Sequence, residues 1–90
     1  MLKNKLASDI KRVLGVSEVA LFVPEISEHG DFSTNVAMQQ KGKNPRETAN
    51  DFVGKLSKDK TIQKYISKIE VAGPGFINFW LSDKYLLDNL

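Results

Sequence analysis

Val71-Ala72-Gly73-Pro74-Gly75-Phe76-Ile77-Asn78-Phe79-Trp80-Leu81 is the stretch on which the fold turns. Its centre supplies the chemistry of a type II turn, with Pro74 at the second turn position and Gly75 at the third. On the incoming side Ser67, Ile69 and Val71 alternate with Lys68 and Glu70, the two-residue period of a half-buried strand. On the outgoing side Ile77, Phe79 and Leu81 fall on one face and Phe76, Asn78 and Trp80 on the other, because successive strand side chains point to opposite sides. A strand on each side of a tight turn is a hairpin. A hairpin with one plainly apolar face needs a second layer to cover that face.

The covering layer is written upstream. Asn44-Pro45-Arg46-Glu47 places an N-cap residue, a proline at the first helical position and a Glu three residues after the cap in series. Ala49, Phe52, Val53 and Leu56 then form one apolar stripe, so a helix runs over about 45–57. Leu2, Leu6, Ile10, Val13 and Leu14 recur at helical spacing and Gly15 stands at a C-cap position, which predicts a helix over 2–14. Val19 to Val23 reads as a short strand ended by Pro24. The acidic, turn-rich stretch 24–31 is the longest loop. A short strand about 32–34 follows and passes into a helix. After the 45–57 helix a connector rich in Lys, Ser and Asp carries another helical turn through Ile62 and Ile66. Ser82 with Asp83 reads as the cap of a last helix from about residue 82, beginning Lys84-Tyr85-Leu86-Leu87 and truncated at the C-terminus. The whole predicts one α+β domain over 1–90. It is a two-layer sandwich with an α-β-β-α-β-β core, a mainly antiparallel four-stranded sheet and helices on one face.

Composition narrows the function classes. With 90 residues, 41% hydrophobic and 27% charged, the chain has the size of one small domain and no room for a large enzyme. It buries roughly 60–65% of its unfolded surface, so any site lies on the surface or in a shallow groove. The absence of cysteine excludes disulfides and thiolate metal sites. No apolar run approaches the ~18–20 residues that cross a bilayer, and the N-terminus lacks a signal-type core. A soluble, cytoplasmic domain is expected, with no membrane partner and no metal.

The net charge of +2 conceals segregation. Residues 1–16 set Lys3, Lys5, Lys11 and Arg12 against Asp9, whereas 17–34 carry Glu18, Glu25, Glu28 and Asp31 and no Lys or Arg. Residues 35–64 are basic again, with Lys41, Lys43, Arg46, Lys55, Lys58, Lys60 and Lys64 against Glu47, Asp51 and Asp59. A solvated helix face and a surface facing a polyanion both explain such a block.

Catalytic constellations are nearly absent. His29 is the only histidine, and with Asp31 beside it in a loop it lacks the partners that general-base or metal chemistry requires. Gly73-Pro74-Gly75 lacks the Gly-x-x-x-x-Gly-Lys-Ser/Thr pattern and leads into a strand, so it is no phosphate loop. Phe76, Asn78 and Trp80 make a different case. On an open sheet face, aromatic rings stack on unpaired bases and an amide between them reads a base edge. The same residues also suit a sheet edge or a face docked on another domain, and composition leaves both readings open. Lys41, Lys43 and Arg46 flank the N-terminus of the 45–57 helix, where free amides and the macrodipole favour an anion, and are candidate phosphate contacts. Ordinary solvated lysines are the alternative there.

Three motifs occur in series: His29-Gly30-Asp31-Phe32-Ser33-Thr34-Asn35-Val36-Ala37-Met38, then Lys43-Asn44-Pro45-Arg46-Glu47, then Val71-Ala72-Gly73-Pro74-Gly75-Phe76-Ile77-Asn78-Phe79. In these the chain resembles the N-terminal additional domain of arginyl-tRNA synthetase. The resemblance implies a cytoplasmic class I synthetase whose catalytic domain follows downstream and activates arginine with ATP and magnesium. It implies no cofactor and no chemistry in these 90 residues, which lack the His-Ile-Gly-His and Lys-Met-Ser-Lys-Ser signatures. It further implies contact with the D-loop at the outer corner of tRNA-Arg, carried by an aromatic and an asparagine that fall on Phe76 and Asn78. Trp80 departs from the Phe, Arg or Lys expected there. The alternative function is a structural module that docks on the rest of the synthetase without touching RNA. Gly30 is expected in a backbone conformation closed to other residues, with Asp31 and Asn35 bonding loop backbone.

Overall fold

A computed structural model describes residues 2–82. Helix α1 spans Leu2–Leu14, strand β1 Leu21–Phe22 and strand β2 Phe32–Thr34. Helix α2 spans Pro45–Ser57, the short α3 Lys60–Gln63, and strands β3 and β4 Ile66–Ala72 and Phe76–Leu81. Single 3-10 turns occupy Ser27–His29 and Val36–Gln39. The sheet order is β1-β2-β4-β3, and every pairing is antiparallel. This is the two-layer α+β architecture that periodicity predicts.

Helix α2 begins where its cap chemistry requires. The Asn44 side-chain carbonyl accepts from the backbone N–H of Arg46 at 3.0 Å and of Glu47 at 3.2 Å, and Pro45 has no N–H to satisfy. Leu6 and Ile10 of α1, Ala49 and Leu56 of α2, and Ile62 of α3 are fully buried with Ile77 and Phe79 of β4. The hairpin's apolar face is therefore the floor of the core and the helices are its lid. Tyr65 is buried at the end of α3. Its hydroxyl donates to Asp9 of α1, and the Lys5 ammonium lies 5.0 Å from its ring centroid.

Four local features differ from the sequence expectation. The hairpin hydrogen bond runs from Gly75 N–H to the Ala72 carbonyl at 3.3 Å, so the central residues are Gly73 and Pro74, one step earlier than expected. Gly73 has φ 55°, a conformation open to glycine, and Ala72 pairs with Phe76, so Gly73, Pro74 and Gly75 make a three-residue hairpin loop. Strand β1 is only two residues long, Leu21 pairing with Thr34 and Phe22 with Ser33, and it stops short of Pro24, which has no N–H to give a ladder. The segment after β2 makes one 3-10 turn instead of a helix, started by the Thr34 hydroxyl, which accepts from Val36 N–H at 3.2 Å. Ile66 belongs to β3, opposite Leu81, and not to the helical turn before it. The final helix expected from about residue 82 falls on 83–90 and lies outside the described residues.

Candidate nucleic-acid interface

Strand register decides what the helix-free face displays. Across it, Ser33 of β2 lies opposite Asn78 of β4, and Asn78 opposite Glu70 of β3. Phe22 of β1 is opposite Ser33, and Trp80 is opposite Lys68. Toward the turn, Phe76 meets Phe22 edge to face, with centroids 6.0 Å apart and ring planes at 90°. The loop after β1 folds over this end. Pro24, Glu25, Ile26 and His29 on one side, with Ser33, Phe76 and Asn78 on the other, bound a groove of about 420 Å³. Its volume falls in the ordinary range for a site that encloses one small, mostly apolar group.

The expected trio does not act as a unit. Phe76 and Asn78 line the groove together, whereas Trp80 does not. Asn78 is 6% exposed, and its Oδ1 accepts from the Ser33 hydroxyl at 2.7 Å. It is a recessed amide at the groove floor, not one standing on an open sheet. Trp80 is covered. Lys68 Nζ sits 4.5 Å from its ring centroid, and Gly30 passes so close that a Cβ there would lie 3.2 Å from two indole atoms and 2.7 Å from the Phe79 carbonyl oxygen. Gly30 takes φ 102°, as expected for a position closed to other residues.

Asp31 bonds strand backbone and not loop backbone. Its N–H donates to the Phe79 carbonyl at 2.8 Å, and its Oδ2 accepts from Leu81 N–H at 2.8 Å. The carboxylate thereby continues the β2–β4 ladder one step past the end of β2. Asn35 does not bond the loop through its side-chain oxygen, which is buried without a partner among the described residues. The neighbouring Thr34 hydroxyl instead accepts from a backbone N–H of this segment, that of Val36.

Lys41, Lys43 and Arg46 are all exposed. The amides of the first turn of α2 are already engaged, those of Arg46 and Glu47 by the Asn44 side chain and that of Thr48 by the Asn44 carbonyl at 2.9 Å. Any anion at this helix end is therefore met by side chains. The cluster is tied to the hairpin, since the Arg46 guanidinium donates to the Gly73 carbonyl. A Cβ on Gly75 would lie 3.0 Å from atoms of Met38 and Pro45. The basic end of α2 and the turn that forms one wall of the groove thus pack as a single block.

Sequence reasoning missed Phe22, Ile26 and Ser33 as groove residues, and His29 as a wall. The one available signal was the aromatic Phe22 at the end of β1, two residues before Pro24. Among the described residues no group of three or more His, Asp or Glu is placed to hold a metal ion, and no helix is long and apolar enough to cross a membrane.

Fold and face together define a small two-layer α+β domain with a groove on the sheet side away from the helices. The profile of the arginyl-tRNA synthetase N-terminal domain matches residues 1–81. Arginine–tRNA ligase of Listeria monocytogenes serotype 4a is 49% identical over 76 residues, covering 81% of this chain and 13% of that protein. The Bacillus licheniformis ligase is 45% identical over 79% of the chain, again 13% of its own length. For the Geobacillus thermodenitrificans ligase the figures are 38%, 94% and 17%. The chain belongs to the arginyl-tRNA synthetase N-terminal domain family, the non-catalytic N-terminal domain of that ligase, and spans only about one-eighth to one-sixth of these relatives.

Proposed function

We propose that the chain is the tRNA-binding accessory domain of an arginine–tRNA ligase and works in the cytoplasm. An unstacked D-loop base of tRNA-Arg enters the groove, where the Phe76 ring supplies a stacking surface and the Asn78 amide meets the base edge. Lys41, Lys43 and Arg46 take backbone phosphates beside the turn. The catalytic domain of the same protein carries out arginylation with ATP, magnesium and arginine, and the accessory domain contributes by holding the outer corner of the tRNA. The observation that carries the reading is that Phe76 and Asn78 share one recess, joined through Gly73 to a basic helix end.

NMR titration of the chain with tRNA-Arg at low and moderate salt tests it. Shifts are expected at β4 and the Pro24–His29 loop, and Phe76→Ala should weaken binding by about 5- to 150-fold, the equivalent of 1–3 kcal/mol for one lost stack. Shifts confined elsewhere, or affinity indifferent to Phe76→Ala and Asn78→Ala, would refute the reading. One observation favours docking on the rest of the synthetase instead. Phe22 and Ile26, which line the groove, are 39% and 54% exposed, an apolar rim that suits a protein surface. On that reading the catalytic domain, and not tRNA, perturbs the rim.

A further inference from the structure

We infer that Ser33 is a positioning residue of the groove: its hydroxyl holds the Asn78 amide rotated so that the Nδ2 donor is presented to the ligand. This rests on the groove as the site of a base and adds the group that sets its hydrogen-bonding polarity.

Ser33 and Asn78 are direct partners in the β2–β4 register and point to the same face. Both line the groove, and both are nearly enclosed, at 3% and 6% exposure. The Ser33 Oγ–H donates to Asn78 Oδ1 at 2.7 Å, the usual length of a well-formed hydroxyl bond. Nδ2 donates to no described residue, and it is not among the sealed polar atoms, so it opens on the groove. The final torsion of an asparagine is broad and roughly two-fold. An amide without a fixed neighbour therefore offers its oxygen about as often as its nitrogen. Anchoring Oδ1 from below removes that ambiguity before the ligand arrives, and preorganisation of this kind shows as affinity. The ligand class that follows is a nucleobase meeting the groove floor with a ring nitrogen or carbonyl oxygen.

The test is a double-mutant cycle on tRNA-Arg binding, with the free chain followed by NMR. Ser33→Ala should weaken binding about 3- to 10-fold, Ser33→Thr should restore it by keeping the hydroxyl, and in an Asn78→Ala background Ser33→Ala should change nothing further. In the free wild-type chain the Asn78 Nδ2 protons should show contacts to Phe76 and not to Ser33, a readout that survives even where Ser33→Ala fails to fold. Wild-type affinity in Ser33→Ala, an equal loss in the Asn78→Ala background, or Nδ2 protons directed at Ser33 would each overturn the assignment. If Asn78→Ala itself leaves tRNA binding intact, it is the base-site reading that fails, a result distinct from the failure of Ser33 alone.

Discussion

Gly30 shows how much one position carries. With φ 102° and no room for a Cβ between the Phe79 carbonyl and the Trp80 indole, alanine there combines backbone strain with a steric clash. Gly30→Ala should lose on the order of 2–4 kcal/mol of stability, read by urea denaturation with Trp80 fluorescence as the probe. That a glycine beside Asp31 needs an unusual φ was legible from the residues. That its purpose is to let the chain cross Trp80 was not, because the contact joins positions 50 apart in sequence. Asp31 follows the same logic: its local setting suggested a turn bond, and the neighbouring strand offered a free amide instead.

At the scale of elements, local chemistry placed α1 and α2 at their observed limits, since caps and apolar stripes are written in neighbouring residues. Asn44→Ala should cost about 1 kcal/mol by thermal melting, the usual loss for a cap. It should also loosen the Arg46 contact with Gly73, visible as shifts in the turn amides. Joining α1 to α3 is a two-pronged ion pair, in which Arg12 donates to the two Asp59 oxygens at 3.0 and 2.9 Å. Asp59 also accepts from Ile62 N–H at 3.0 Å. The Arg12 hydrogen bond, and after it the Ile62 amide, hold the Asp59 carboxyl below its ordinary range, and Asp59 raises Arg12 in return. A depressed carboxyl stabilises the fold above its unfolded pKa of about 4 and loses that contribution as pH falls through the folded value. The Tm gap between wild type and Asp59→Asn should therefore be constant near neutral pH and close below about pH 4. Short elements were less legible than long ones. The extent of β1 and the 3-10 turn after β2 depend on which partner backbone is in reach, and a two-residue strand leaves no periodicity to read.

For the whole molecule the charge pattern makes a quantitative claim. If Lys41, Lys43 and Arg46 each meet one phosphate, log K for tRNA-Arg should fall with log salt at a slope of about −2 to −3, and Lys43→Ala should reduce the slope by about one. Isothermal titration over a salt series checks it, and a flat dependence would assign the basic end of α2 to solvent. The pairing of Phe76 with Asn78 was readable from strand alternation and from the family motif. Their separation from Trp80 was not, since alternation assigns a face but not what covers it. The amphipathic periods, the Asn44 cap and the Gly-Pro-Gly turn sufficed for the architecture, because each is a bargain between residues a few places apart. The recess, its Ser33–Asn78 floor and its loop wall came from strand register, which brings residues 45 positions apart within hydrogen-bonding distance and which no local pattern encodes.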